Sequence, residues 1–233
     1  MKQILIGVQA RSTSTRLPGK SSFILGNNTV VEHVLQKCVR ASNWLLKQSG
    51  MEITSDVFLL VPEGDPLRKL QGPFEILEGS EPDVLSRYVQ AATQTYPDYI
   101  CRITGDCPLI PEFVISTIIK MAVKGGNDYT SNIIPAFRTA IDGHDCEVLS
   151  NRALQWLDNN AVSVADREHV TSKIVHEPPT WARIHPVIGY CDLSYVNLSV
   201  DTQADMDAVR HQHESVNNKV SLARKMGYKV GRL

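Results

Sequence analysis

Two apolar periodicities exchange with each other along this chain, and that exchange constrains the fold more than any other feature of its sequence. Ile4, Leu5, Ile6, Gly7 and Val8 form an apolar run, after which Val31, Val34, Leu35, Cys38 and Val39 recur at helical spacing. Residues 55–61 give a second buried run closed by Pro62, residues 65–70 a short helix, and residues 74–77 a third strand. Val84, Leu85, Tyr88, Val89 and Ala92 mark a second amphipathic helix, opened by Ser80, Glu81 and Pro82 and closed by Pro97. Residues 99–104 read as the next strand, and Ile115, Ile118, Ile119, Ala122 and Val123 as the next helix before Gly125 and Gly126. Strands and helices alternating at these lengths predict an α/β protein with a mostly parallel sheet covered on both faces.

Past Asp128 the pattern loosens. Residues 133–145 carry Pro135 and Gly143 with few periodic apolar positions, which predicts a long functional loop or a small hairpin. Helices are expected at 150–159 and 166–176, strands at 182–190 and 196–200, and a last helix from near Thr202. No repeat, low-complexity tract or linker divides the chain. Residues 1–233 are therefore read as one domain, with a lobe at about 130–190 inserted after the fourth or fifth strand.

Bulk properties remove several classes of function. A formal charge of -1 provides no global basic field for nucleic acid, so any anion site must be a local cluster. The five cysteines are scattered without a CxxC pair, which fits reduced, buried thiols better than a disulfide frame or a zinc site. Only about seven mostly apolar residues precede Arg11, short of a secretory h-region, and no apolar run reaches the ~18 residues of a membrane span. The expectation is a soluble, cytoplasmic protein with no membrane partner.

The local cluster lies in residues 9–21, QARSTSTRLPGKS, directly after the first strand. Gly19-Lys20-Ser21 ends like a Walker A motif, but Ser14 stands where that motif needs its first glycine, and the chain has no GxGxxG. What remains is a loop in which Arg11, Arg16 and Lys20 can meet several phosphate oxygens. A solvated basic loop is the competing reading; its position at a strand's carboxyl end favours phosphate.

Two aspartates follow predicted strands, Asp106 in RITGDCPL and Asp201 in SVDT. Each could cap a helix, yet two carboxylates at strand ends could also meet at one Mg²⁺ opposite the basic loop. Asp142, Asp145 and Glu147 crowd into six residues; strand alternation puts Asp145 and Glu147 on one face, where they could bind the hydroxyls of a polyol or simply face solvent. Arg167 and His169 open a helix and could hold an acceptor's carboxylate or form surface ion pairs.

Taken together, these stretches resemble the cytidylyltransferases related to the spore coat polysaccharide biosynthesis protein F family, and more distantly the enzymes that make CMP-Kdo and CMP-sialic acid. The similarity runs from Gln9 to Asp207. It implies a nucleotide-diphospho-sugar transferase-like α/β/α sandwich in three layers, forming a homodimer. It assigns Arg11, Arg16 and Lys20 to the triphosphate of CTP and Gln9 and Ala10 to the cytosine end. The GSEPDVLSRY segment, with Ser80 and Leu85, is assigned to closure over base and ribose, and Asp106 to the metal-bearing turn.

The reaction expected on that basis is transfer of CMP from CTP to an acidic sugar, nonulosonic or keto-deoxy, or a related acceptor in surface polysaccharide synthesis. Pyrophosphate leaves, and Mg²⁺ on Asp106 and Asp201 assists. Two rivals stand beside it: a glycosyltransferase using a nucleotide sugar, which would want a DxD-like motif where the chain has Asp106-Cys107-Pro108, and a nucleotide-binding scaffold without catalysis.

Overall fold

A computed structural model describes residues 1–48 and 50–226. The first strand, β1 (Lys2–Gln9), is central: β4 (Ile53–Pro62) and β6 (Tyr99–Thr104) both pair with it in parallel, and β5 (Glu75–Gly79) extends the sheet beyond β4. On the other side β8 (Glu147–Ser150) runs antiparallel to β6, β7 (Tyr129–Ser131) is antiparallel to β8, and β9 (Ile184–Pro186) lies parallel to β7 at the edge. The order is β5-β4-β1-β6-β8-β7-β9. A two-stranded hairpin, β2 (Ile24–Leu25) with β3 (Asn28–Thr29), stands apart.

Alternation along β1 sorts the helices into two layers. Ile4, Ile6 and Val8 enter a core with Val34, Leu35 and Cys38 of α1 (Val30–Gln48) and Ile115, Ile118 and Ile119 of α3 (Glu112–Gly125). Leu5 points the other way, to Leu85 and Tyr88 of α2 (Val84–Thr95) and Leu154 and Leu157 of α4 (Asn151–Asn160). Gly7 is required there: a Cβ would lie 2.5 Å from the Tyr88 ring, whose hydroxyl donates to the Gly7 carbonyl at 3.1 Å. The sheet is thus covered on both faces, as the alternation of strands and helices predicts, in the three-layer α/β/α arrangement that the resemblance implies.

Differences fall past residue 128. The helix expected at 166–176 is broken into α5 (Val164–Glu168) and α6 (Ser172–His176) by Val170, which is fully buried at φ 58, an unusual conformation for a β-branched residue. Of the strand expected at 182–190 only β9 forms. Residues 196–200 make a single bridge, Asn197 with Asp142, instead of a strand. Cys191 is exposed, whereas the other four cysteines are buried. The last helix, α7 (Gln203–Lys225), packs Met206 and Val209 with Leu25, Val30 and Val200, and that small core carries the chain at Asp201 back to the loop after β1.

Candidate active site

The carboxyl ends of β1 and β6 open into a cavity of about 270 Å³. Gln9, Ala10, Arg11, Ser14, Thr15, Arg16, Lys20 and Ser21 supply one wall, and Arg102, Thr104, Gly105 and Asp106 the floor beside it. Val84 and Arg87 of α2, Glu168 and His169 from the end of α5, and Asp201 complete the lining. Open parallel sheets bind ligands in this kind of crevice.

The basic loop is held at fixed points. Asp65 is buried and accepts from Ser12 N and Ser12 Oγ, both at 2.8 Å, and from Leu67 N at 2.9 Å, so one carboxylate ties the loop to the turn after β4. Gly19, at φ 73, donates to the Ser12 carbonyl at 3.0 Å and turns the chain into a short 3-10 helix, Lys20–Ser22. Arg11 reaches Glu81 at 3.7 Å and Glu168 at 3.5 Å.

Asp106 and Asp201 converge. Lys20 Nζ lies 2.7 Å from Asp106 Oδ2 and 2.8 Å from Asp201 Oδ1, and Arg16 Nη2 lies 3.0 Å from the same Asp201 oxygen. Among the described residues neither aspartate caps a helix. Thr202 caps α7, its Oγ1 accepting from Asp205 N at 3.3 Å while the Asp205 carboxylate accepts from Thr202 N at 2.8 Å, and α3 follows Pro111 without a side-chain cap. Burial alone would raise Asp106, but the Lys20 ammonium holds it below the usual carboxylate range. Two hard oxygen donors that share one cation suit Mg²⁺, which ordinarily takes one or two carboxylates and completes its shell with phosphates and water.

Other expected residues are placed differently. Leu85 is wholly buried in the core, and the Ser80 hydroxyl accepts from Asp83 N at 3.2 Å; neither lines the cavity. Glu147 does not face an acceptor: it is 2% exposed, its Oε2 pairs with Arg102, and its Oε1 accepts from Tyr129 Oη at 2.5 Å and Thr171 Oγ1 at 2.6 Å. Alternation fails as a guide because β8 starts only at Glu147, in the interior of the sheet. Arg167 is committed to Asp83 at 2.6 Å and Asp158 at 3.0 Å, leaving His169 as the member of that pair on the cavity wall. Asp142 and Asp145 both meet Arg138, at 3.2 and 3.0 Å.

Arg87 and Arg102 are the functional candidates that sequence reasoning missed. Arg102 Nε donates to Gln9 Oε1 at 3.0 Å, orienting that amide beneath the cavity. Arg87 is 2% exposed with no carboxylate partner among the described residues; Nη1 donates to the Leu60 carbonyl at 2.8 Å, and Nε is buried without a partner. Burial lowers its pKa. Its position three residues after Val84 on the amphipathic helix, where a core residue is expected, was the available signal.

A parallel-sheet crevice with a fixed basic loop and a pair of convergent aspartates defines a nucleotide-handling α/β enzyme. The cytidylyltransferase family model matches residues 64–219, and the chain belongs to that family, a family of nucleotidyltransferases. The chain is 26% identical over 227 residues to the spore coat polysaccharide biosynthesis protein SpsF of Bacillus subtilis, covering 94% of this chain and 90% of that one. A cytidylyltransferase structure from Leptospira borgpetersenii superposes with a TM-score of 0.78 at 22% identity, covering all of both chains. CMP:2-keto-3-deoxy-manno-octonic acid synthetase complexed with CTP shares the fold at a TM-score of 0.64 and 13% identity, over 91% of this chain and 99% of that one.

Proposed function

We propose that the protein transfers CMP from CTP to an acidic sugar acceptor, nonulosonic or keto-deoxy, in surface polysaccharide synthesis. The observation that carries this reading is the meeting of Arg16 and Lys20 with Asp106 and Asp201 at one cavity wall, since phosphate-binding and cation-binding groups are then side by side. An acceptor oxygen attacks the α-phosphorus, the bond to the bridging α–β oxygen breaks, pyrophosphate leaves with that electron pair, and the acceptor's proton is lost to solvent. Arg11, Arg16 and Lys20 hold the triphosphate and offset the charge that develops on pyrophosphate. Gln9 and Ala10 stand at the cytosine end. Asp106 and Asp201 would hold Mg²⁺, which when bound neutralises charge at the α-phosphate.

The acceptor enters on this reading from the side of Asp142, Asp145 and His169. Arg138, between the two aspartates, offers the cation for an acceptor carboxylate. Exposed Ile188 and Tyr190, next in sequence to the edge strand β9, support a homodimer formed through residues 130–190, which sedimentation would detect. No described helix is long and apolar enough to cross a membrane, and a cytoplasmic location suits a CTP-dependent enzyme.

The test is incubation with CTP, Mg²⁺ and a panel of sugar acids. Pyrophosphate together with a CMP-linked product is expected. Release of nucleoside diphosphate from a nucleotide sugar would establish the glycosyltransferase instead, and tight CTP binding with no turnover on any acceptor would establish a scaffold.

A further inference from the structure

Lys20 has two sets of possible partners in one site. Its backbone is fixed on both sides: Gly19 N donates to Ser12 O at 3.0 Å, Ser21 Oγ to Arg11 O at 3.1 Å, and Phe23 N to Lys20 O at 3.2 Å. Only the side chain is free to change direction. Its ammonium bridges Asp106 and Asp201, at 2.7 and 2.8 Å, with the side chain 12% exposed.

Charge balance gives this arrangement a consequence. Two carboxylates face Lys20 and Arg16, so the cluster is neutral before any ligand arrives. A bare divalent cation would have to displace the ammonium from between the aspartates and then face two nearby positive charges. Among the described residues no group of three or more His, Cys, Asp or Glu side chains is placed to compensate. A nucleotide triphosphate reverses the balance, because its phosphate oxygens accept the ammonium and the guanidinium and leave both carboxylates open.

We propose that Lys20 is an internal counter-ion that makes entry of the divalent cation conditional on nucleotide: its ammonium stands between Asp106 and Asp201 in the free protein and swings to the phosphates when the triphosphate binds. The inference rests on the assignment above of both aspartates to the cation. Order of binding follows, with nucleotide or its metal complex first and free metal excluded.

Mn²⁺ titration followed by the electron paramagnetic resonance of the free ion tests this in the whole protein, with and without a non-hydrolysable CTP analogue. Wild type is expected to bind Mn²⁺ at least tenfold more weakly without the analogue than with it. Lys20→Met is expected to bind Mn²⁺ alone at least tenfold more tightly than wild type, and adding Asp106→Asn should remove that gain. Lys20→Gln, which keeps a polar side chain in place, serves if the Met variant melts early. Nucleotide-free Mn²⁺ binding by a folded Lys20 variant that is no tighter than wild type overturns the counter-ion role. Failure of the underlying reading looks different: Mn²⁺ binding to the nucleotide complex would be unchanged by Asp106→Asn.

Discussion

Thr171 Oγ1 donates to Glu147 Oε1 at 2.6 Å, joining the turn between α5 and α6 to a carboxylate at the heart of the sheet. The same carboxylate pairs with Arg102, which in turn holds Gln9. A continuous chain of polar contacts therefore runs from the wall bearing Glu168 and His169 to the end of β1.

Removing Glu147 should break that chain at its centre. Glu147→Ala leaves the Arg102 guanidinium buried without its partner and should cost about 3–5 kcal/mol of stability. Thr171→Val keeps the ion pair and should cost ~1 kcal/mol, while raising KM because the 168–171 turn loses its tether. Chemical denaturation and steady-state kinetics read the two effects separately. Equal stability of Glu147→Ala and wild type would show that the network carries no load.

Arg87 predicts an opposite pairing of effects. A guanidinium without an acid at 2% exposure is a cost to the empty protein, and the Leu60 carbonyl keeps the Ala10 amide at 3.1 Å when Arg87 is replaced. Arg87→Met should therefore melt no lower than wild type, yet bind CTP on the order of tenfold more weakly, because charge-assisted contacts to ligand oxygens are lost. Calorimetric titration with CTP is the measurement. Unchanged affinity would make Arg87 a structural residue only.

How much of this was legible depends on the range of the interactions involved. The apolar run at residues 4–8 and the helical spacing of Val31, Val34, Leu35 and Cys38 are local properties, so the first strand and a mostly parallel sheet covered on both faces followed from them. The basic loop was also legible, because three cations close together after a buried strand are a local signal. The coincidence of Asp106 and Asp201 was drawn from their similar strand-end settings; the third core, around Met206 and Val209, is what brings Asp201 there.

What was not legible depends on long-range burial. Glu147 looked outward because alternation was counted from Asp145, whereas the carboxylate is drawn inward by Arg102, Tyr129 and Thr171 from three other segments. Val170 carries no signal for φ 58: its spacing with Ile174 is helical, and tertiary packing overrides it. The buried strand β7 was missed because Tyr129, Thr130 and Ser131 are only three residues, two of them polar, paired on both sides by distant strands.

Arg16 tests the leaving-group assignment with little risk to the fold. Its side chain is 67% exposed and its one ion pair among the described residues is with Asp201, so Arg16→Ala should leave the melting temperature nearly unchanged. Turnover should fall by ~10²- to 10³-fold, the usual effect of deleting one group that stabilises transition-state charge. Near-normal turnover in the folded variant would remove Arg16 from the reaction.

Asp145 should give the protein a measurable pH dependence. Burial raises its pKa to about 6, with Arg138 opposing and Asp142, Glu147 and Asp106 reinforcing the shift. In the unfolded chain an aspartate titrates near 3.8, so between that value and about 6 the folded state binds the extra proton. Stability from this group is thus fully present below the unfolded value and is lost as pH rises through about 6. A shift of this size corresponds to about 1–3 kcal/mol once partial exposure is allowed for. Asp145→Asn cannot ionise. The difference in unfolding free energy between the variant and wild type should therefore move in the variant's favour by that amount from pH 4 to pH 7, whatever constant cost the altered contact with Arg138 adds. Urea denaturation at several pH values measures it. A pH-independent difference would mean that Asp145 titrates in the folded protein where it does in the unfolded chain, Arg138 having offset the effect of burial.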